Sequence, residues 1–133
     1  VTSSISAAAS LGAPLMHDFC QISLSDLMTD WSLIEKRLEL ASMADFVICI
    51  YNPKSKGRPN HLRRAFEIMQ AHKPATTPVG IVKNAGRINE EKYIRTLETM
   101  DFEVCDMSTM IIVGNKETYI DGDKIITPRG YGI

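Results

Sequence analysis

The chain has 133 residues, of which 44% are apolar and 23% charged, with a formal net charge of −1. That length supports one domain with a buried core, and the composition is that of a folded globular protein rather than a disordered or fibrous one. A near-neutral chain lacks the net basic face that a general nucleic-acid binder needs, and no apolar run approaches the roughly 20 residues that cross a bilayer.

The chain opens Val1-Thr2-Ser3-Ser4-Ile5, with no initiator Met and no basic segment or long apolar core of a signal peptide. A start on the first turn of a helix leads us to expect the C-terminal part of a longer protein. Thr2 or Ser3 caps a predicted helix of small residues over 4–11, which ends at Gly12 with Pro14 beyond. Phe19 to Leu24 alternates as a half-buried strand does. Thr29 or Asp30 then caps a helix in which Ile34, Leu38 and Ala41 share a face, with Glu35, Lys36, Arg37 and Glu39 outside. Residues 46–51 are continuously apolar, which predicts a central parallel strand buried on both faces.

The next helix starts at Pro59 and turns Leu62, Phe66 and Met69 inward. Strands follow at Val79 to Val82, Lys92 to Leu97 and Met110 to Val113. Thr118-Tyr119-Ile120 and Lys124-Ile125-Ile126 flank Asp121-Gly122, a strong hairpin signal. The order predicts an α/β fold: a mixed sheet of about five strands with helices on both faces, ending in an antiparallel hairpin. Cys20, Cys49 and Cys105 are odd in number and widely spaced, and they read as reduced core thiols of a cytoplasmic protein. No Cys-x-x-Cys occurs, and His17, His61 and His72 lack ligand spacing, so no metal site is predicted.

Three strand-end loops carry the chemistry. Residues 52–59 follow the most apolar strand and place Lys54, Lys56 and Arg58 within five residues. In open α/β sheets the ligand crevice lies beyond the carboxyl ends of the strands, so these cations call for an anionic ligand. Asn84-Ala85-Gly86-Arg87 offers small residues whose backbone groups can meet a ligand. Thr127-Pro128-Arg129-Gly130-Tyr131 ends the hairpin in a rigid, basic, aromatic tail. Each loop also reads as a plain turn or terminus. There is no Gly-x-Gly-x-x-Gly, no phosphate loop ending in Gly-Lys-Ser/Thr and no nucleophile elbow. The residues alone describe an anion-binding α/β domain without proton-transfer machinery, whether an enzyme or a non-catalytic module that holds a phosphate or nucleotide.

At these loops the sequence resembles the tetrapyrrole methylase family, and within it the precorrin-3B C(17)-methyltransferases of cobalamin biosynthesis. The likeness is carried by Val1-Thr2-Ser3-Ser4, the run from Leu11 to Phe19, Ile22-Ser23-Leu24-Ser25-Asp26-Leu27, Tyr51-Asn52-Pro53, Ser55-Lys56-Gly57-Arg58-Pro59, Asn84-Ala85-Gly86-Arg87 and Thr127-Pro128-Arg129-Gly130-Tyr131, all in the family's order. The resemblance implies the second of two α/β domains, with S-adenosylmethionine bound in the cleft between them. The first domain, which brings a Gly-Asp-Pro loop, is not part of this sequence, so the fragment alone is expected to be inactive.

By the same resemblance, Thr2, Ser3, Asn52 and Ala85 match cofactor contacts, and Thr127 and Pro128 lie near the adenine. Lys54, Lys56, Arg58, Arg87 and Arg129 are suited to the acetate and propionate groups of a precorrin-3-type substrate. Methyl transfer from a sulfonium needs mainly positioning and exclusion of water. Ring contraction adds a proton donor or acceptor, for which His17 is the candidate. A cytoplasmic homodimer is implied for the full-length enzyme, without nucleic-acid or membrane partners. A methylase of another precorrin carbon or of a protein residue is the alternative within the family.

Overall fold

The structure is a computed structural model that describes residues 11–14, 18–25, 29–51, 60–106 and 108–128. Its elements in chain order are β1 (Gly12–Ala13), β2 (Phe19–Ser23), α1 (Trp31–Met43), β3 (Val47–Tyr51), α2 (His61–Gln70), β4 (Pro78–Lys83), β5 (Glu91–Thr96), a 3₁₀ turn at Phe102–Val104, β6 (Thr109–Val113), β7 (Tyr119–Asp121) and β8 (Lys124–Ile126). The main sheet has the order β2-β3-β6-β4-β5, and β1-β8-β7 forms a separate small sheet. A mixed five-stranded sheet with a terminal hairpin is thus borne out.

Two details differ from the sequence expectations. Strand β3 is parallel to β2 on one side only; on the other it pairs antiparallel with β6, and β6 is the middle strand. Both strands are apolar throughout because both are covered on two faces, and that pattern does not encode the direction of a neighbour. The hairpin loop is Gly122-Asp123 rather than Asp121-Gly122, with Asp121 paired to Lys124 and Gly122 at φ +62°. A two-residue loop of this kind needs positive φ, which glycine adopts without a steric penalty.

The expected helix faces hold. Ile34, Leu38 and Ala41 of α1, and Leu62, Phe66 and Met69 of α2, are buried together against Ile48, Ile50, Val79, Ile81, Ile111 and Val113 of the sheet. Val47, Cys49, Val82, Met110 and Ile112 point to the opposite face, which Leu11 and Ile125 of β8 cover. Both described helices therefore sit on one face; the rest of the helix expected over 4–11 lies outside the described residues. All three cysteines are free thiols, and burial pushes the Cys49 thiol up to about 12.

The end of α1 is tied to the sheet. Asp45 stands at φ +59°, with its N–H donating to Ser42 O at 3.1 Å and the Phe46 N–H to Ala41 O at 3.0 Å. That is a Schellman termination, in which glycine is the common residue. Here the aspartate has a use: its carboxylate accepts from Lys116 N at 3.1 Å and lies 3.5 Å from the buried Lys73 ammonium. Lys73 also donates to Phe46 O and Gly114 O, both at 2.9 Å. Burial lowers its pKa, opposed by the Asp45 carboxylate. One ammonium thus joins the ends of α1, α2 and β6.

Candidate functional site

Strands β2 and β3 run in the same direction, and β4, two antiparallel steps from β3 through β6, runs with them. Three carboxyl ends therefore meet at one edge of the sheet, which is where ligands bind in folds of this class. The starts of β5 and β6 complete that edge.

At the end of β4 the chain turns sharply. Asn84 has φ +55° and Gly86 φ +79°. Asn84 N–H donates to Ser108 O at 3.2 Å, Arg87 N–H to Asn84 O at 3.0 Å, and Gly86 N–H to the Glu90 carboxylate at 2.9 Å. Ala85 sits between them, half-buried against the Val47–Ile112 side of the core. Among the described residues, neither its N–H nor its carbonyl has a hydrogen-bond partner. A backbone donor and acceptor held by a braced turn can meet a ligand with no reorganisation. The exposed Arg87 leaves the same turn and forms no ion pair with a described residue.

Beside the turn, Lys83 Nζ lies 3.3 Å from Asp106 Oδ2. Asp106 accepts from Ser108 Oγ at 2.6 Å, Ser108 N at 2.8 Å and Thr109 Oγ1 at 3.1 Å. The Ser108 hydroxyl is the largest of the causes that hold its carboxyl down to about 2. This pair was not anticipated from the sequence. Its only local signal is the Asp-x-Ser-Thr spacing of a side chain that caps its own turn.

At the β2 side of the same edge a cleft of about 400 Å³ is lined by Gln21, Ser23, Ser25, Thr29, Arg37 and Tyr51 over Ile22 and Ile34. The helical pattern placed Arg37 outside, and it is exposed; its place in a cleft was not legible, because the cleft's other wall comes from β2.

Thr127 lies elsewhere. Its hydroxyl is buried and 2.7 Å from that of Thr118, whose side chain fills the place where a Gly114 Cβ would stand. Gly114 N–H donates to Pro78 O at the start of β4. Ala85 is at the other end of that strand, so the structure does not bring Thr127 and Ala85 together. Pro128 follows Thr127 and is half-buried. Thr2, Ser3, His17, Asn52, Lys54, Lys56, Arg58 and Arg129 lie outside the described residues.

The fold is a mixed α/β domain with a braced, backbone-lined turn and a polar cleft on one strand-end edge. The chain is a member of the Tetrapyrrole (Corrin/Porphyrin) Methylases, whose sequence pattern matches residues 1–101. It is 62% identical over 131 residues to a probable cobalt-factor III C(17)-methyltransferase of Salmonella typhimurium, covering 98% of this chain and 54% of that protein. It is 46% identical over 136 residues to a precorrin-3B C(17)-methyltransferase of a Sinorhizobium species, again covering 98% and 54%. Among solved structures, the methyltransferase CobJ superposes with a TM-score of 0.91 at 35% identity, over 96% of this chain and 54% of that one. The chain thus spans about half the length of the relatives it matches.

Proposed function

We propose that this chain forms one wall of an S-adenosylmethionine-dependent methyltransferase that acts on carbon 17 of a precorrin-3-type tetrapyrrole, with ring contraction, in cobalamin biosynthesis. The observation that carries the reading is the Asn84–Gly86 turn. Its free Ala85 backbone stands at the strand-end edge, and the relatives named for C(17) methylation match the chain from end to end. A compact turn with an unbonded donor and acceptor fits the polar ends of a nucleoside-type cofactor, which supplies the methyl group as a sulfonium.

In this reading Ala85, Asn52, Thr2 and Ser3 hold the cofactor. Thr127 and Pro128, which the family resemblance assigns to the adenine, stand by the opposite end of β4 from Ala85 and are left out of this wall. Lys54, Lys56, Arg58, Arg87 and Arg129 receive the substrate's carboxylates, and His17 moves the proton of the contraction step. The second wall comes from a further half such as the relatives possess. The protein works in the cytoplasm as a homodimer.

The test uses the protein at the relatives' full length. Transfer of labelled methyl from S-adenosylmethionine to cobalt-factor III or precorrin-3B, with mass analysis of the product, is the expected result. Methylation of another precorrin, or of none, would overturn the assignment to carbon 17.

A further inference from the structure

The ladder between β4 and β6 is cut short beside the Asn84–Gly86 turn. Opposed residues of an antiparallel pair alternate between those that exchange two hydrogen bonds and those that exchange none. Gly114 N–H donates to Pro78 O at 3.0 Å and Asn84 N–H to Ser108 O at 3.2 Å. With Gly80 opposite Ile112 and Val82 opposite Met110, the even-numbered residues of β4 are the ones that bond to β6. Each end pair keeps one bond of the two. At Pro78 the cause is covalent, since proline has no N–H, and Gly114 O accepts from Lys73 Nζ instead. At Asn84 the cause is a side chain. Ser108 N–H, which a continued ladder would direct at Asn84 O, donates to Asp106 Oδ1 at 2.8 Å.

The released carbonyl closes the turn: Asn84 O accepts from Arg87 N–H at 3.0 Å, with Asn84 at φ +55°. Asp106 is itself held in place. Its Oδ1 also accepts from Ser108 Oγ at 2.6 Å and Thr109 Oγ1 at 3.1 Å, and its N–H donates to Thr109 Oγ1 at 2.8 Å. Its Oδ2 lies 3.3 Å from Lys83 Nζ. One carboxylate oxygen serves the turn and the other the ion pair.

The alternative to this arrangement is a longer sheet. Leu97 N–H donates to Thr77 O at 3.1 Å, so the odd-numbered residues bond on the β5 side, where Lys83 stands opposite Glu91. The next such pair would be Ala85 with Asn89. An extended Asn84, bonded twice to Ser108, would carry Ala85 into that pair and tie up its N–H and carbonyl. In the turn as it stands, Asn89 O lies 3.5 Å from the Asn84 side-chain amide, and the Ala85 backbone groups have no partner among the described residues.

We infer that Asp106 is a positioning residue for the cofactor: by drawing Ser108 N–H out of the ladder, it ends the β4–β6 pairing early and keeps the Ala85 backbone groups open to a ligand. The inference rests on the reading of that turn as an S-adenosylmethionine contact. It gives the Asp106–Ser108–Thr109 cluster a role at the site without any contact to the ligand.

The experiment titrates the full-length protein and its variants with S-adenosylmethionine and follows amide exchange at Ala85 in the cofactor-free state. Asp106→Ala should weaken binding about tenfold, the worth of one or two hydrogen bonds, and should slow exchange at Ala85 as its N–H pairs with Asn89. Asp106→Asn keeps an oxygen for Ser108 N–H and should restore both readouts to near the parent's. Lys83→Met removes the ion pair alone and should leave both unchanged. Urea denaturation of each variant separates lost stability from lost affinity. Should Asp106→Ala fail to fold, Asp106→Ser, which retains a weaker acceptor, takes its place, with a smaller loss expected. Parent-like affinity in the Ala or Ser variant would overturn the positioning role and leave the cofactor reading of the turn standing. Equal losses in Asp106→Ala, Asp106→Asn and Lys83→Met would overturn it too, since charge and not the captured N–H would then be at work. If the parent binds no S-adenosylmethionine, the cofactor reading itself falls, and the positioning role with it.

Discussion

The side chain of Leu11 occupies the place that a side chain on Gly80 would take. A Cβ built at Gly80 overlaps Leu11 Cδ1 and stands 3.0 Å from Ile125 Cδ1. Gly80 lies inside β4, where glycine is ordinarily a weak choice. Here its bare surface lets the residue before β1 and a residue of β8 settle on the sheet face opposite the two helices. Gly80→Ala should therefore cost about 1–3 kcal/mol through overpacking. Leu11→Ala alone should cost about 2–5 kcal/mol through the cavity it leaves. The pair share one space, so the double variant should be less destabilised than the sum. Urea denaturation of the variants measures this; strict additivity would mean that the two residues do not compete.

Lys73 should be hard to replace. Lys73→Met keeps the stem and removes the ammonium, which strands the carbonyls of Phe46 and Gly114. The expected loss is about 2–3 kcal/mol. Asp45→Asn retains an acceptor for Lys116 N and tolerates the positive φ, so it should cost less, about 1 kcal/mol. Equal losses in the two variants would show that charge, and not carbonyl bonding, holds this corner.

Ala85→Leu tests the turn. The added bulk would crowd the braced turn that holds the unbonded backbone groups. In the full-length protein we expect a normal fold, a loss of S-adenosylmethionine affinity of about tenfold or more and retained tetrapyrrole binding. Because Ala85 also touches the core, stability must be measured alongside. Unfolding would make it a packing residue; normal cofactor binding would remove it from the site.

Asp106 links the site edge to pH. Its carboxyl is held from 3.8 down to about 2 when folded. A group lowered by folding contributes stability that is fully present above its unfolded pKa and is lost as pH falls through its folded pKa. The Ser108–Thr109 turn should therefore loosen as pH falls from 3.8 to about 2, seen as faster amide exchange there. Asp106→Asn should flatten the acid limb. An unchanged limb would place the acid sensitivity elsewhere.

Lys56→Ala with Arg58→Ala should raise the KM for tetrapyrrole several-fold, roughly 1 kcal/mol per lost partner, and leave cofactor binding intact. A normal KM would show that the loop after β3 does not grip carboxylates.

The sequence by itself determined which sides of its elements are apolar, where they turn and which family they belong to. Ile34, Leu38 and Ala41 repeat at helical spacing, and they are buried. Gly122 marks the hairpin, and the motifs from Thr2 to Tyr131 name the family. Such signals are local, because side-chain direction follows from backbone period alone. Only the tertiary structure decided what covers those sides. It placed β6 between β3 and β4, buried Lys73 among carbonyls, set Thr127 at the far end of the sheet from Ala85 and gave Arg37 a cleft. Each of these depends on residues far apart in the chain, whose meeting is set by the packing of whole elements and leaves no periodic trace at either partner.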